Sequence, residues 1–252
     1  MNVVGLATMA ALAGGWELVV RTGALDYQYL PAPSAIARAV GPLAASGDLA
    51  GHTLHTLRST LVGWTVAAVF GVALGLWLGL SRGAWRWSMA SIEVVRAVPP
   101  ITLVPVALLA FGFSLRMELT LVVYVAAWTV LVNTIEGVRS VPRELGDVAR
   151  SLRLGRLETV RKVVLPAAMP SIVVGLRLAM SLALVLAVVA EMIGNPRGLG
   201  NALVRAQHAL QPEQMFAYVT TIGLAGIALN AALGAAAGRL VPHLSAGPRE
   251  RA

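Results

Sequence analysis

Apolar residues run in long blocks along this chain. Leu61–Leu80 is twenty residues without a charge, which matches the length a helix needs to cross the core of a bilayer. Ala97–Leu115 and Leu119–Ile135 follow the same pattern, and Gln214–Gly238 is long enough to cross with tilt. Ala167–Ala190 is a further block with Arg177 inside it, and Val3–Val20 is another that carries Glu17. No Lys or Arg precedes that first block and no clean cleavage site follows it, so it is expected as a helix and not a secretory signal. Pro99, Pro100 and Pro105 must break or kink the block that holds them. The pattern predicts an all-α integral membrane chain with six crossing helices.

Composition agrees. The chain of 252 residues is 57% hydrophobic and only 13% charged, about half the charge of an ordinary soluble domain. Its mean hydropathy is +0.75. With no Cys there is no disulfide, thiolate metal site or cysteine nucleophile. The four His fall in no HxxxH or HExxH spacing, so no metal motif and no bound cofactor is expected. Lys162 is the only lysine and lies in Arg-Lys-Val, which excludes a P-loop for ATP.

The net charge of +8 is distributed between the apolar blocks and not in a nucleic-acid patch. Arg82–Arg96 holds three basic residues, Arg139–Lys162 seven and Arg239–Arg251 three, which sum to 13 on one side. Arg21, Arg38, Arg58, Arg116, Arg197 and Arg205 make six on the other. The positive-inside rule then places both termini in the cytoplasm. Between the first two blocks lies a polar stretch of roughly forty residues, expected at the external surface. In it Ser34 is a candidate N-cap, and Ile36 and Val40 share a face of the short helix that follows.

The inner loop Glu136–Lys162 is long, basic and patterned. Val141, Leu145, Val148 and Leu152 recur at helical spacing, with Arg143, Arg150 and Arg153 on the opposite face. Gly155 interrupts, and Leu157, Val160 and Val164 begin a second amphipathic piece that ends or enters the next span at Pro166. Two short helices joined at a glycine suit either a docking element or a pair resting on lipid headgroups.

The run Asp147-Val148-Ala149, three residues, Arg153, nine residues, then Val163-Val164-Leu165-Pro166 resembles the Glu-Ala-Ala signature of ABC importer permeases. The spacing matches throughout, while Arg153 stands where that signature has Gly and Gly155 falls two places later. Leu30-Pro31-Ala32-Pro33-Ser34, Arg96-Ala97-Val98-Pro99-Pro100, Gly175-Leu176-Arg177, Glu191 and Gly198-Leu199-Gly200 are similar to the nitrate, sulfonate and taurine branch. The resemblance covers about Leu30 to His243.

It implies a type I, MetI-like permease fold in the inner membrane of a prokaryote. Residues 1–29 would hold the first crossing helix and the start of an external loop. Residues 30–252 would form the permease core, with five crossing helices and a coupling loop over 139–166. Two cytoplasmic ATPase subunits would dock on Asp147, Val148, Ala149, Arg150, Arg153, Gly155, Leu165 and Pro166. An external binding protein would deliver the cargo, a small anion of the sulfonate, taurine or nitrate kind. A second copy of the chain would complete the path, and the chain itself would not be an enzyme. The alternatives are a stand-alone secondary transporter or channel, and a membrane-embedded enzyme. The first would want intramembrane acidic residues or an inverted repeat, and the second clustered His or carboxylates.

Other residues have simpler roles on pattern alone. Gly71, Gly75 and Gly79 form a small-residue stripe for close helix packing. The prolines free backbone carbonyls in the third helix, making it the first candidate to line a path. Pro99, Pro100, Thr102, Ser114, Asn133, Arg177 and Ser181 are the candidate path residues. Hydrogen bonds within the packing are an equally simple use for each polar one, and Arg177 suits structure or gating as well as contact with an anion.

Overall fold

The computed structural model describes residues 3–23, 27 and 29–240. Residues 24–26 and 28 of the first loop, and the tail from 241 on with Arg249 and Arg251, lie outside the described residues. The regular elements are α1 Val3–Arg21, α2 Pro33–Ala45, α3 Asp48–Leu80, α4 Arg82–Arg96, a 3-10 turn Pro100–Leu103, and α5 Val104–Phe111. They continue with α6 Leu115–Arg139, α7 Arg143–Ser151, α8 Arg156–Thr159, a π turn Val160–Val164, α9 Leu165–Gly194, α10 Leu199–His208 and α11 Pro212–Leu240. Among the described residues, α3, α6, the α8–α9 run and α11 are long and apolar enough to cross a membrane.

The core is a three-helix layer of α3, α6 and α9, and glycine sets its closest approach. A Cβ added at Gly63, Gly71, Gly75 or Gly79 would meet Val122, Val130, Thr134 or Val138 at 2.5 to 2.8 Å. Each pair is separated by 59 residues (63 to 122, 79 to 138), so α3 and α6 run parallel and in register. On the other side of α6, Gly137 meets Ser171 while Asn133 meets Gly175, so α9 runs antiparallel to it. The indole N–H of Trp64 donates to the Leu176 carbonyl at 3.0 Å and ties α3 to α9. Small residues bring backbones close where lipid supplies no hydrophobic drive between helices.

Parallel α3 and α6 require a return leg between them, and it differs from the block Ala97–Leu115. Helix there covers only Pro100–Phe111, about 20 Å by helical rise against a hydrocarbon core of about 30 Å. The missing length comes from Arg82–Arg96, expected as an inner loop but folded as α4, with Ser81 Oγ accepting from the Ala84 N–H at its start. Trp85 lies under the Arg139 guanidinium at 3.7 Å. Ile92 packs with Leu131 and Ile135. The Tyr124 hydroxyl donates to the Val95 carbonyl at 2.7 Å. These contacts climb α6 from its C-terminal end to its middle. Pro99 and Pro100 then break the helix, and α5 leaves at 75°. Val104 and Ala107 pack on Met117 and Leu121 along the first turns of α6. The kink expected from the prolines is present, and it joins two half-length helices into one leg.

Two further elements depart from expectation. α3 begins at Asp48, so the polar residues 48–60 are helical and not loop. At the start of α2 the cap position is Ala32, with no side-chain cap. Ser34 instead donates its N–H and hydroxyl to the Glu17 carboxylate at 2.9 and 2.7 Å. An anion at a helix N-terminus satisfies orphan N–H groups and the helix dipole together. This explains Glu17 in an apolar helix: it pins α1 to α2. Ile36, with Val40 packed beside it, joins Leu43, Leu199, Ala202, Ala206 and Tyr218 in a small core among α2, α10 and α11. The short helix α10 had no counterpart in the sequence pattern.

Candidate functional site

The basic loop folds as the two short helices that its periodicity predicts. α7 closes with the Arg153 N–H on the Arg150 carbonyl at 2.9 Å and the Leu154 N–H on the Ala149 carbonyl at 3.0 Å. This is a Schellman turn, in which the residue after the cap must be left-handed. That residue is Arg153, with φ of 51°. Gly155 has φ of −63° and serves as the N-cap of α8. The signature's glycine position is therefore a left-handed turn here, occupied by an arginine at a steric cost. The turn has not moved to Gly155.

Around that turn the side chains divide. Ala149 is 2% exposed, turned into the chain where α7 meets the π turn. Expected at a docking surface, its methyl is inside the hairpin instead. Val148 is 53% and Leu152 66% exposed, with Leu145 and Leu157 also at the surface. Asp147 pairs with Arg150 one turn on. The Glu158 carboxylate accepts from Lys162 at 2.9 Å and from the Gly155 N–H at 3.2 Å. Leu165 opens α9 and Pro166 occupies its first turn, where a missing N–H costs nothing. From Arg156 to Gly194 the run is one helical span, so α8 continues directly into a core helix.

At the far end of the same core lies a buried polar network, of which the sequence singles out only Glu191, Gly198, Leu199 and Gly200, through the resemblance. Thr56 Oγ1 donates to Glu191 at 2.8 Å and accepts from the Leu199 N–H at 2.9 Å. The Gly200 N–H donates to Glu191 at 2.9 Å. Asn195 donates to Glu118 at 2.7 Å, with His55 Nε2 at 3.3 Å from the same oxygen. His52 has donors at both ring nitrogens, the Gly198 N–H at 3.2 Å and Arg205 at 2.8 Å. A neutral imidazole accepts at only one of its nitrogens, so one of these two is a contact without a hydrogen bond.

Glu118 and Glu191 are fully buried. With His55 their ligand atoms lie within 4.8 Å of one another, a grouping able to take a cation. Protein donors engage both oxygens of Glu191 and Oε2 of Glu118, while Glu118 Oε1 is buried without a partner among the described residues, and the network fastens the first turns of α3 to the start of α6 and the end of α9. The available signal was the polar set His52, His55, Thr56, Ser59 and Thr60, at helical spacing inside a stretch read as loop.

The candidate path residues do not converge within one chain. Pro99, Pro100 and Thr102 form the break between α4 and α5, where the Thr102 hydroxyl donates to the Pro99 carbonyl at 2.7 Å. Ser114 is the N-cap of α6, accepting from the Met117 N–H. Asn133 is set into the α6–α9 contact and donates to the Thr129 carbonyl at 2.8 Å. Arg177 lies two residues beyond Gly175, about 200° round the helix. It is exposed beside α11, without a carboxylate partner among the described residues. Ser181, one turn on, accepts from Asn230 of α11 at 3.0 Å.

Comparison with known proteins fits this arrangement. Residues 71–246 match the family described as the binding-protein-dependent transport system inner membrane component. A Bacillus subtilis protein named for aliphatic sulfonates transport is 30% identical over 222 residues, covering 88% of this chain and 80% of that protein. The nitrate import permease of Leptolyngbya laminosa is 34% identical over 187 residues, covering 74% of this chain and 67% of the relative. The fold is that of the inward-facing MetNI methionine ABC transporter, with a TM-score of 0.63 at 20% identity, covering 75% of this chain and 93% of that one. These matches favour an ABC permease over a stand-alone transporter, channel or membrane enzyme. This chain belongs to the binding-protein-dependent transport system inner membrane components, multi-pass permease subunits of ABC importers whose ATP is hydrolysed by partner subunits.

Proposed function

We propose that the chain is a six-crossing permease with cytoplasmic termini, and that α7 and α8 are its coupling element. The observation that carries this is the exposed apolar pair Val148 and Leu152, flanked by Asp147, Arg150 and Arg153, on a short helix and the turn that closes it. It is fastened through the π turn to a core helix that reaches the opposite end of the bundle. An exposed apolar patch with a charged rim fits a protein partner. Two ATPases would dock there, one on each of two copies related by a two-fold axis. Closure of the ATPases would move α9 as a rigid body and alternate the access of the path.

The cargo is proposed to be a small anion, since the relatives are named for sulfonates, nitrate and bicarbonate. The support within this chain is Arg177. An exposed guanidinium midway along an apolar helix is too costly against lipid and belongs on a water-filled path or at the partner copy. Ser181 would continue that lining toward the outer end. Pro99, Pro100 and Thr102 would flank it at the break of the return leg, with Ser114 above. An external binding protein would supply the cargo. The test is purification of the tagged chain from its native membrane. An ATPase should accompany it, and should be lost when Val148 and Leu152 are both changed to Glu. Recovery of a folded assembly with no ATPase, even after mild crosslinking, would overturn the proposal.

A further inference from the structure

Outside the buried carboxylates, a pocket of about 400 Å³ opens between the first turns of α3 and the turn that follows α9. Asp48, His52, His55, Arg58 and Arg197 line it. Arg58 and Arg197 come from elements far apart in sequence, and both are exposed. Neither guanidinium has a carboxylate partner among the described residues. Arg96 and Arg150, by contrast, hold acidic neighbours on their own helices. His55 joins the pocket to the network: its Nε2 faces Glu118, and its Nδ1 has no hydrogen bond among the described residues. Asp48 is held by the Ser46 hydroxyl at 3.0 Å and contributes the one carboxylate in the lining.

We propose that this pocket is an anion site, a vestibule on the outer face that takes a small monovalent oxyanion before it enters the path. Within the lining, two guanidinium groups stand against one carboxylate, an excess of positive charge that favours an anion. Guanidinium forks present paired N–H donors in the plane that a nitrate, carboxylate or sulfonate group requires. The low-dielectric protein beneath and the concave wall concentrate their field on the opening. With room for water around so small an ion, the site is suited to capture and handing on and not to tight retention. The inference rests on the proposed orientation, which puts this end outside, and on the proposed anionic cargo.

The experiment uses the full chain in lipid nanodiscs with whatever partner subunits purify alongside it. Thermal unfolding is followed while sodium nitrate or sodium ethanesulfonate replaces sodium gluconate at constant ionic strength. A bound ligand raises the unfolding temperature along a saturating curve. Arg58→Gln and Arg197→Gln should each move that curve to about tenfold higher anion concentration, the loss expected for one charged hydrogen-bond donor. Arg82→Gln removes the same charge at the opposite end of the bundle and should leave the curve in place. A curve that does not saturate, or that shifts equally in all three variants, overturns the vestibule. If an ATPase still accompanies the Arg58 and Arg197 variants in that case, the permease assignment survives. A curve that depends on Arg58 with no ATPase recovered would do the reverse, keeping the vestibule and sinking the coupling proposal.

Discussion

Glu191, in the last turn of α9, accepts a hydrogen bond at 2.8 Å from Thr56, which lies 135 residues earlier in the chain. The same carboxylate takes the Gly200 N–H, so one side chain joins α3, α9 and the start of α10. Removing it leaves the buried Gly200 N–H without an acceptor, at a cost of about 1–3 kcal/mol. Glu191→Ala should therefore lower the unfolding temperature in detergent, followed by tryptophan fluorescence, and Thr56→Val should do so by less. An Ala variant as stable as the parent would show that the network contributes nothing.

Glycine is required beside that carboxylate for a steric reason. A Cβ at Gly200 would lie 2.2 Å from the Val188 carbonyl oxygen, a backbone atom that cannot step aside. Gly200→Ala should fail to accumulate in the membrane or unfold at much lower temperature. Gly223→Ala serves as the control, because open space surrounds that position.

At the inner end the prediction runs toward greater stability. Arg153 holds a left-handed conformation that costs a side-chain-bearing residue about 1 kcal/mol. Arg153→Gly should relieve it and raise the unfolding temperature slightly. Arg153→Val, with a β-branched side chain, should have the opposite effect. A destabilised Gly variant would mean that the guanidinium supplies more than the turn loses.

The parallel register of α3 and α6 gives a graded test. Gly75→Ala would place its methyl 2.6 Å from the Thr134 Cβ, and overpacking of this kind costs about 1–3 kcal/mol. The double variant Gly75→Ala with Thr134→Gly, which clears the opposing side chain, should recover part of the loss. Recovery of none would place the clash elsewhere.

Much of this architecture was legible because the signal was periodic. The amphipathic pattern Leu145, Val148, Leu152 placed α7, and the Gly71, Gly75, Gly79 stripe identified the tightest face of α3. Only the first half of the return leg was missed, where composition misled. Arg82–Arg96 carries three arginines and reads as a loop, yet Ile92 and Trp85 face α6 while the charged residues face out. Residues 48–60 were misread in the same way, since a helix that extends past the apolar core has no need of apolar residues there. Contacts between distant segments, such as Asn195 with Glu118, leave no local pattern and became visible only in the fold.

The central claim is that α7 meets a cytoplasmic ATPase through its exposed apolar face. The chain has no native cysteine, so a single cysteine at Leu152 provides a unique crosslinking position. In native membranes, Leu152→Cys treated with a short bifunctional thiol–amine reagent should give one dominant adduct, identified by mass as an ABC ATPase. A cysteine at Leu109, exposed on α5, should give none. Crosslinking of position 152 only to lipid or to a second copy of this chain would contradict the account.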